Sequence, residues 1–352
     1  MTLPSPRPDL ALREGYHSPQ VDVPVRLNTN ESPLPPPPEW NARLAEEVAR
    51  IQWNRYPDRQ AWGLREALAG LHGVRPDQVF CANGSNEVLQ SLCLAYGGPG
   101  RSVAVFEPTY ALHSHIAHLT ATKVAEGRRR ADFSLDLDQV RDLVAAAQPV
   151  ITFLCSPNNP TGLADDPSVV RTVVEETDGL VVVDEAYGQF ADWSAVELVS
   201  DDRPVVVTRT FSKTWSMAAA RLGYLLGPAP VVAALERVAL PYHLDAFKQA
   251  AGRLAVEFVG QMEERVGLIV RERQRILAAF GRLPVTAWPS QSNFILFRPE
   301  RREGEAVWRG LLERGVLVRD TSSWPGLAGC LRITVGTPEE NDQFISALEE
   351  VL

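Results

Sequence analysis

Five short apolar runs, none alternating with polar residues, constrain this chain more than any other feature. They are Val79-Phe80-Cys81-Ala82, Val103-Ala104-Val105-Phe106, Val150 to Leu154, Leu180-Val181-Val182-Val183 and Val205-Val206-Val207, with helical patterns between them. A strand with one wet face alternates apolar and polar residues. Unalternated runs predict strands buried on both faces, hence an α/β fold with a mostly parallel central sheet flanked by helices. Each run gives way to polar or aromatic residues: Asn83-Gly84-Ser85-Asn86-Glu87, Glu107-Pro108-Thr109-Tyr110, Ser156 to Gly162, Asp184-Glu185-Ala186-Tyr187 and Thr210-Phe211-Ser212-Lys213. Ligands of open α/β sheets bind outside the carboxyl ends of the strands, so the pattern sends five sets of side chains to one edge.

Proline recurs in residues 1–38, ending in Pro35-Pro36-Pro37-Pro38, which resists helix and sheet. This segment reads as an N-terminal arm, either a loose tail or a strap over a site or a partner subunit. Asn28, Asn30 and Glu31 within it favour the strap. Residues 39–240 read as a large domain. From about Pro241 the character changes: a helical pattern runs from roughly Asp245 to Phe280, followed by strand-like Asn293–Phe297 and Leu331–Val335. Residues 241–352 therefore read as a smaller C-terminal α+β domain.

A chain of 352 residues that is 45% hydrophobic can build a large core. Its net charge of −9 argues against nucleic acid, and Arg128-Arg129-Arg130 reads as a solvated loop. No window approaches the ~20 apolar residues of a membrane span, and no signal peptide is visible. Cys81, Cys93, Cys155 and Cys330 lack metal spacing and read as reduced, buried thiols of a cytoplasmic enzyme. No metal is expected.

The strand ends carry the chemistry. Lys213, beside Thr210 and Ser212 and eight residues before Arg221, suits a ligand that is both aldehyde and phosphate ester: the amine forms a Schiff base, and the hydroxyls and guanidinium hold the phosphate. Gly84 followed by Ser85 and Asn86 reads as a phosphate-binding helix start or an ordinary N-cap. Tyr110 is placed to stack on a flat ring or to pack at the rim. Asn159 either donates to a phenolate oxygen or initiates a turn. Asp184 closes a buried run, where a lone carboxylate needs a cation such as a protonated pyridine, unless it caps a helix. Tyr187, three residues on, reaches the same ring. One ligand, pyridoxal 5′-phosphate, uses all of these groups.

On these residues, together with Arg55-Tyr56-Pro57-Asp58 and Leu331-Arg332-Ile333-Thr334-Val335-Gly336-Thr337, the chain resembles the fold type I pyridoxal-phosphate aminotransferases. Within them it is similar to the histidinol-phosphate enzymes. The resemblance implies that Lys213 holds the cofactor and then shuttles a proton, Asp184 pairs with the ring nitrogen, and Tyr187 and Asn159 hold the ring oxygen. Tyr110 would stack, and Ser85, Asn86, Thr210, Ser212 and Arg221 would bind the phosphate. Tyr56 would reach the neighbouring subunit's cofactor, implying a homodimer with shared sites. Arg332 and Arg319 would bind the substrate phosphate, with Tyr16, Asn30, Glu31 and Asn159 completing the substrate site. The implied reaction converts L-histidinol phosphate and 2-oxoglutarate to imidazole-acetol phosphate and glutamate. An aromatic amino-acid aminotransferase is the alternative; a phosphothreonine decarboxylase and a cofactor-sensing regulatory domain rank below it. Ser32 and Pro35 in the arm, and Thr214-Trp215-Ser216 after the lysine, depart from the family pattern.

Overall fold

A computed structural model describes residues 3–5 and 21–352. Its strands are β1 (Val25–Leu27), β2 (Val79–Ala82), β3 (Ser102–Glu107), β4 (Lys123–Arg128), β5 (Ile151–Cys155) and β6 (Leu180–Asp184). They continue with β7 (Val205–Thr210), β8 (Gly223–Leu226), β9 (Val285–Ala287), β10 (Phe294–Pro299), β11 (Val316–Asp320) and β12 (Leu331–Thr334). The helices are α1 (Pro38–Ala49), α2 (Trp62–His72), α3 (Ser85–Tyr96), α4 (Leu112–Leu119), α5 (Leu137–Ala147) and α6 (Pro167–Glu176). After them come α7 (Ala229–Val238), α8 (Ala246–Val256), α9 (Val259–Phe280), α10 (Gly304–Glu313) and α11 (Pro338–Val351).

Seven strands form one sheet in the order β2-β8-β7-β6-β5-β3-β4, parallel except for β8, which runs against both its neighbours. The unalternated runs are explained by two buried faces. Val182 and Val206 pack with Leu89, Ile116 and Leu235 on one face. Val181, Val183, Val205 and Val207 pack with Val140, Val170 and Val173 on the other. A second sheet has the order β1-β11-β12-β10-β9. Its core joins Ile295, Val318 and Ile333 to Ile276, Leu311 and Phe344 of α9, α10 and α11.

Four expectations change. Inside the proline-rich segment, Val25–Leu27 pairs in parallel with Val316–Val318 as the edge strand of the second sheet. Pro38, far from resisting helix, is the first residue of α1, where its missing N–H loses no hydrogen bond and its fixed φ suits the helix. The single helix expected over 245–280 breaks at Glu257–Phe258. Ala251, Leu254 and Ala255 of α8 are buried against Leu64 and Leu68 of α2, whereas Ile269, Ile276 and Phe280 of α9 face the second sheet. One helix axis does not serve both cores. The arginine run also differs: Arg129 is buried and ion-paired with Asp165. Among the described residues, no helix is long and apolar enough to cross a membrane, and no His/Cys/Asp/Glu cluster suits a metal.

Candidate active site

A cavity of about 390 Å³ opens at the carboxyl edge of the seven-stranded sheet, walled on its far side by Thr29, Asn30 and Glu31 and by Arg332 of β12. Lys213 follows β7 on a loop pinned by the buried Phe211, whose N–H donates to Leu222 O at 3.0 Å. The Lys213 amine donates to Thr29 O at 3.1 Å. Burial, reinforced by the Arg332 and Arg221 charges and opposed by Glu31, lowers its pKa to about 7. Much of the amine is therefore uncharged, and nucleophilic, near neutral pH.

Asp184, the last residue of β6, is not a lone carboxylate. Oδ1 accepts from Thr208 Oγ1 at 3.0 Å and from the Ala186 N–H at 3.2 Å, and Oδ2 lies 3.0 Å from His113 Nε2. A carboxylate only accepts, so Nε2 carries the hydrogen. His113 is fully buried and stacks on Phe153 with ring centroids 4.7 Å apart. Sequence reasoning missed this residue. It shares α4 with His115 and His118, and nothing in its spacing sets it apart; only the packing of α4 aims it at Asp184.

An anion cup lines the same cavity. Gly84, at φ +82°, is itself the N-cap of α3 and gives no side-chain cap, so the ordinary N-cap by Ser85 or Asn86 is not what forms. Both residues instead start the helix and line the cavity, beside the positive end of its dipole. Thr210 and Ser212 lie alongside, and Arg221 Nη1 donates to Ser212 Oγ at 3.2 Å. A Cβ on Gly223 of β8 would fall 2.2 Å from the Ser85 nitrogen. Only glycine there lets the backbone turn of the cup approach β8.

Between cup and carboxylate, the Tyr110 hydroxyl donates to Asn86 Oδ1 at 3.2 Å, holding its ring at the cavity wall. The Tyr187 hydroxyl accepts from Asn30 Nδ2 at 2.9 Å, and burial raises its pKa. Asn159 Oδ1 accepts from Arg332 Nη1, and Arg332 Nη2 donates to Asn28 O at 3.1 Å. Asn30, at φ +56°, also takes a hydrogen bond on Oδ1 from Thr334 and donates its N–H back to that hydroxyl, while Asn293 donates to its carbonyl. Thus Asn30 links the first strand's exit to both sheets. Glu31 accepts from Thr29 Oγ1 at 3.0 Å.

Two expected residues lie outside this cavity and a third cannot be placed. Arg319 does not line it, but its Cα sits directly opposite that of Arg332 across β11 and β12, which puts both side chains on one face of the sheet. Tyr56 is 80% exposed and stacks on Tyr242 with centroids 4.5 Å apart. Tyr16 lies outside the described residues. The remaining groups fit pyridoxal phosphate: a low-pKa amine, an anion cup that a Cβ on Gly223 would crowd, and a hydrogen-bonded carboxylate about the same cavity.

The sequence model for aminotransferase class I and II matches residues 22–348. Histidinol-phosphate aminotransferase of Frankia casuarinae is 44% identical over 96% of this chain and 87% of its own. That of Rhodococcus jostii is 42% identical over 98% and 92%. The crystal structure of histidinol-phosphate aminotransferase from Sinorhizobium meliloti in complex with pyridoxal-5′-phosphate superimposes with a TM-score of 0.85. It is 23% identical, over 94% of this chain and 91% of that one.

Proposed function

Because the chain belongs to the class I and II aminotransferases, and within them to the histidinol-phosphate aminotransferases, we propose that it transfers an amino group from L-histidinol phosphate to 2-oxoglutarate. The products are imidazole-acetol phosphate and L-glutamate, a step of histidine biosynthesis. The observation that carries the substrate is the cross-strand pair Arg319–Arg332. Two guanidiniums on one face of the sheet, one of them lining the cavity, suit a dianionic phosphate ester better than a single carboxylate.

Bound pyridoxal phosphate supplies a ring that withdraws electrons from the substrate carbon. Lys213, its amine largely uncharged near neutral pH, would hold the cofactor by its aldehyde and, once released, would serve as the base that takes and returns the proton of the substrate carbon. Asp184, held by His113 and Thr208, would pair with the ring nitrogen and favour its protonated form. Tyr187 and Asn159 would hold the ring oxygen, and Tyr110 would stack on the ring. Ser85, Asn86, Thr210, Ser212 and Arg221 would anchor the phosphate. Asn30 and Glu31 wall the substrate side and would exclude water from it. In the second half-reaction the same groups act in reverse on the keto acceptor.

A homodimer completes this reading. Tyr56 does not line its own cavity and is exposed, stacked on the exposed Tyr242, where a second copy's cofactor phosphate would meet it. Four free, buried cysteines fit the reducing cytoplasm.

The test is a half-reaction: absorbance of the bound cofactor is followed on separate addition of histidinol phosphate, phenylalanine and glutamate. Histidinol phosphate is expected to react fastest; a preference for phenylalanine would reassign the enzyme to aromatic amino acids. Arg319→Met is expected to raise KM for histidinol phosphate about 10–100-fold, the worth of one charged hydrogen-bonding partner, with the phenylalanine reaction unchanged. Gly223→Ala is expected to weaken pyridoxal phosphate affinity at least about tenfold, ~1.4 kcal/mol, by pushing Ser85 off β8. Fluorescence titration of the apoenzyme measures it.

A further inference from the structure

Arg129 lies one residue beyond β4, in a place water does not reach: its side chain and that of Asp165 are each 1% exposed. Nη1 donates to Asp165 Oδ1 at 2.6 Å and Nη2 to Asp165 Oδ2 at 3.1 Å. The same nitrogens donate to Phe133 O at 3.1 Å and Cys155 O at 3.4 Å, and the Arg129 N–H donates to Glu107 O at 2.8 Å. Cys155 and Asp165 are the two ends of the loop that carries Asn159 into the cavity. Glu107 opens the turn that carries Tyr110. The Asp165 N–H also donates to Ser156 Oγ at 2.9 Å, closing the loop's neck. Inside the loop, Asn158 donates to Pro108 O at 3.0 Å and accepts from Thr109 at 3.1 Å, tying it to the Tyr110 turn.

A buried ion pair is a weak source of stability, because desolvation offsets most of the attraction and an apolar pair often serves as well. What the guanidinium supplies instead is direction: a planar fork that meets one carboxylate with two parallel bonds and still reaches a carbonyl. We propose that Arg129, through Asp165, is a positioning residue for Asn159, fixing both ends of the 155–165 loop and so the place where the Asn159 amide meets the cofactor ring. The inference rests on the reading that Asn159 bonds the ring oxygen.

The experiment compares pyridoxal-phosphate-loaded wild type, N159A, R129K, R129M/D165L and N159A/R129M/D165L. The absorption of bound cofactor is titrated against pH, and thermal unfolding is recorded alongside. N159A is expected to move the midpoint of the spectral change. R129M/D165L, whose apolar pair leaves no buried charge, is expected to unfold near the wild-type temperature yet move the midpoint in the same direction. The triple variant is expected to move it no further than N159A alone. R129K keeps the charge but not the fork, and is expected to shift the midpoint too; it carries the comparison if R129M/D165L does not fold. Wild-type midpoints in the Arg129 variants, or shifts that add to that of N159A, would overturn the proposal while leaving the role of Asn159 standing. An unmoved midpoint in N159A itself would overturn that role and this inference with it.

Discussion

Lys213→Ala is expected to slow amino transfer by about 10⁴-fold or more, since a single positioned base contributes up to that much and this amine is also the nucleophile. Single-turnover absorbance with histidinol phosphate measures it, and a residual rate within tenfold of wild type would remove Lys213 from the chemistry. The same substitution has a second, opposite effect on the apoenzyme. The lysine's pKa falls from 10.5 to about 7 on folding. Above about pH 10.5 neither the folded nor the unfolded chain holds the proton, and the group costs nothing. As pH falls toward 7 only the unfolded chain is protonated, so stability is progressively lost; below 7 the loss is complete and constant. Lys213→Ala removes that cost. The variant is expected to gain in unfolding temperature relative to wild type as pH drops from 10 to 7, with no further gain from 7 to 6. A pH-independent difference would show that the amine is not desolvated in the folded chain.

Asp184→Asn is expected to lower kcat by on the order of 10³-fold. Removing one charge from a buried pair costs ~3–5 kcal/mol, and most of that enters the barrier because ring protonation matters most as charge develops on the substrate carbon. The amide still accepts from Thr208 and Ala186, so the cavity wall survives and KM is expected to change little. Steady-state kinetics together with a cofactor titration separates the two: a large rise in KM with kcat intact would make Asp184 a binding group only.

The legible parts of this site share one property: they sit at the ends of strands whose apolar runs announce them. Lys213, Asp184, Tyr110 and Asn159 each follow such a run, and the parallel sheet brings them to one cavity. His113 was illegible because it comes from a helix flank and acts only through Asp184. Arg129 was hidden in a basic triplet whose neighbours are exposed, and only the loop folding over it reveals the buried Asp165. The edge strand Val25–Leu27 lies among prolines, and three residues carry too little pattern to announce a strand; its partner, Val316–Val318, supplies the reason. Arg319 and Arg332 were legible as arginines, but their opposition depends on the register of an antiparallel pair, which no local pattern sets.

The tie between Asn30 and Thr334 joins residues 304 positions apart in the sequence. At a synthesis rate of roughly 5–20 residues per second, about 15–60 s separate their appearance from the ribosome. Through that interval Lys213 and Asp184 are already made, yet the wall that keeps water from them is not. Competence of this enzyme is therefore decided only once β12 has been made. A chain released before β11 and β12 carries the amine and the carboxylate on a sheet edge open to solvent, with β1 lacking the strand it pairs with.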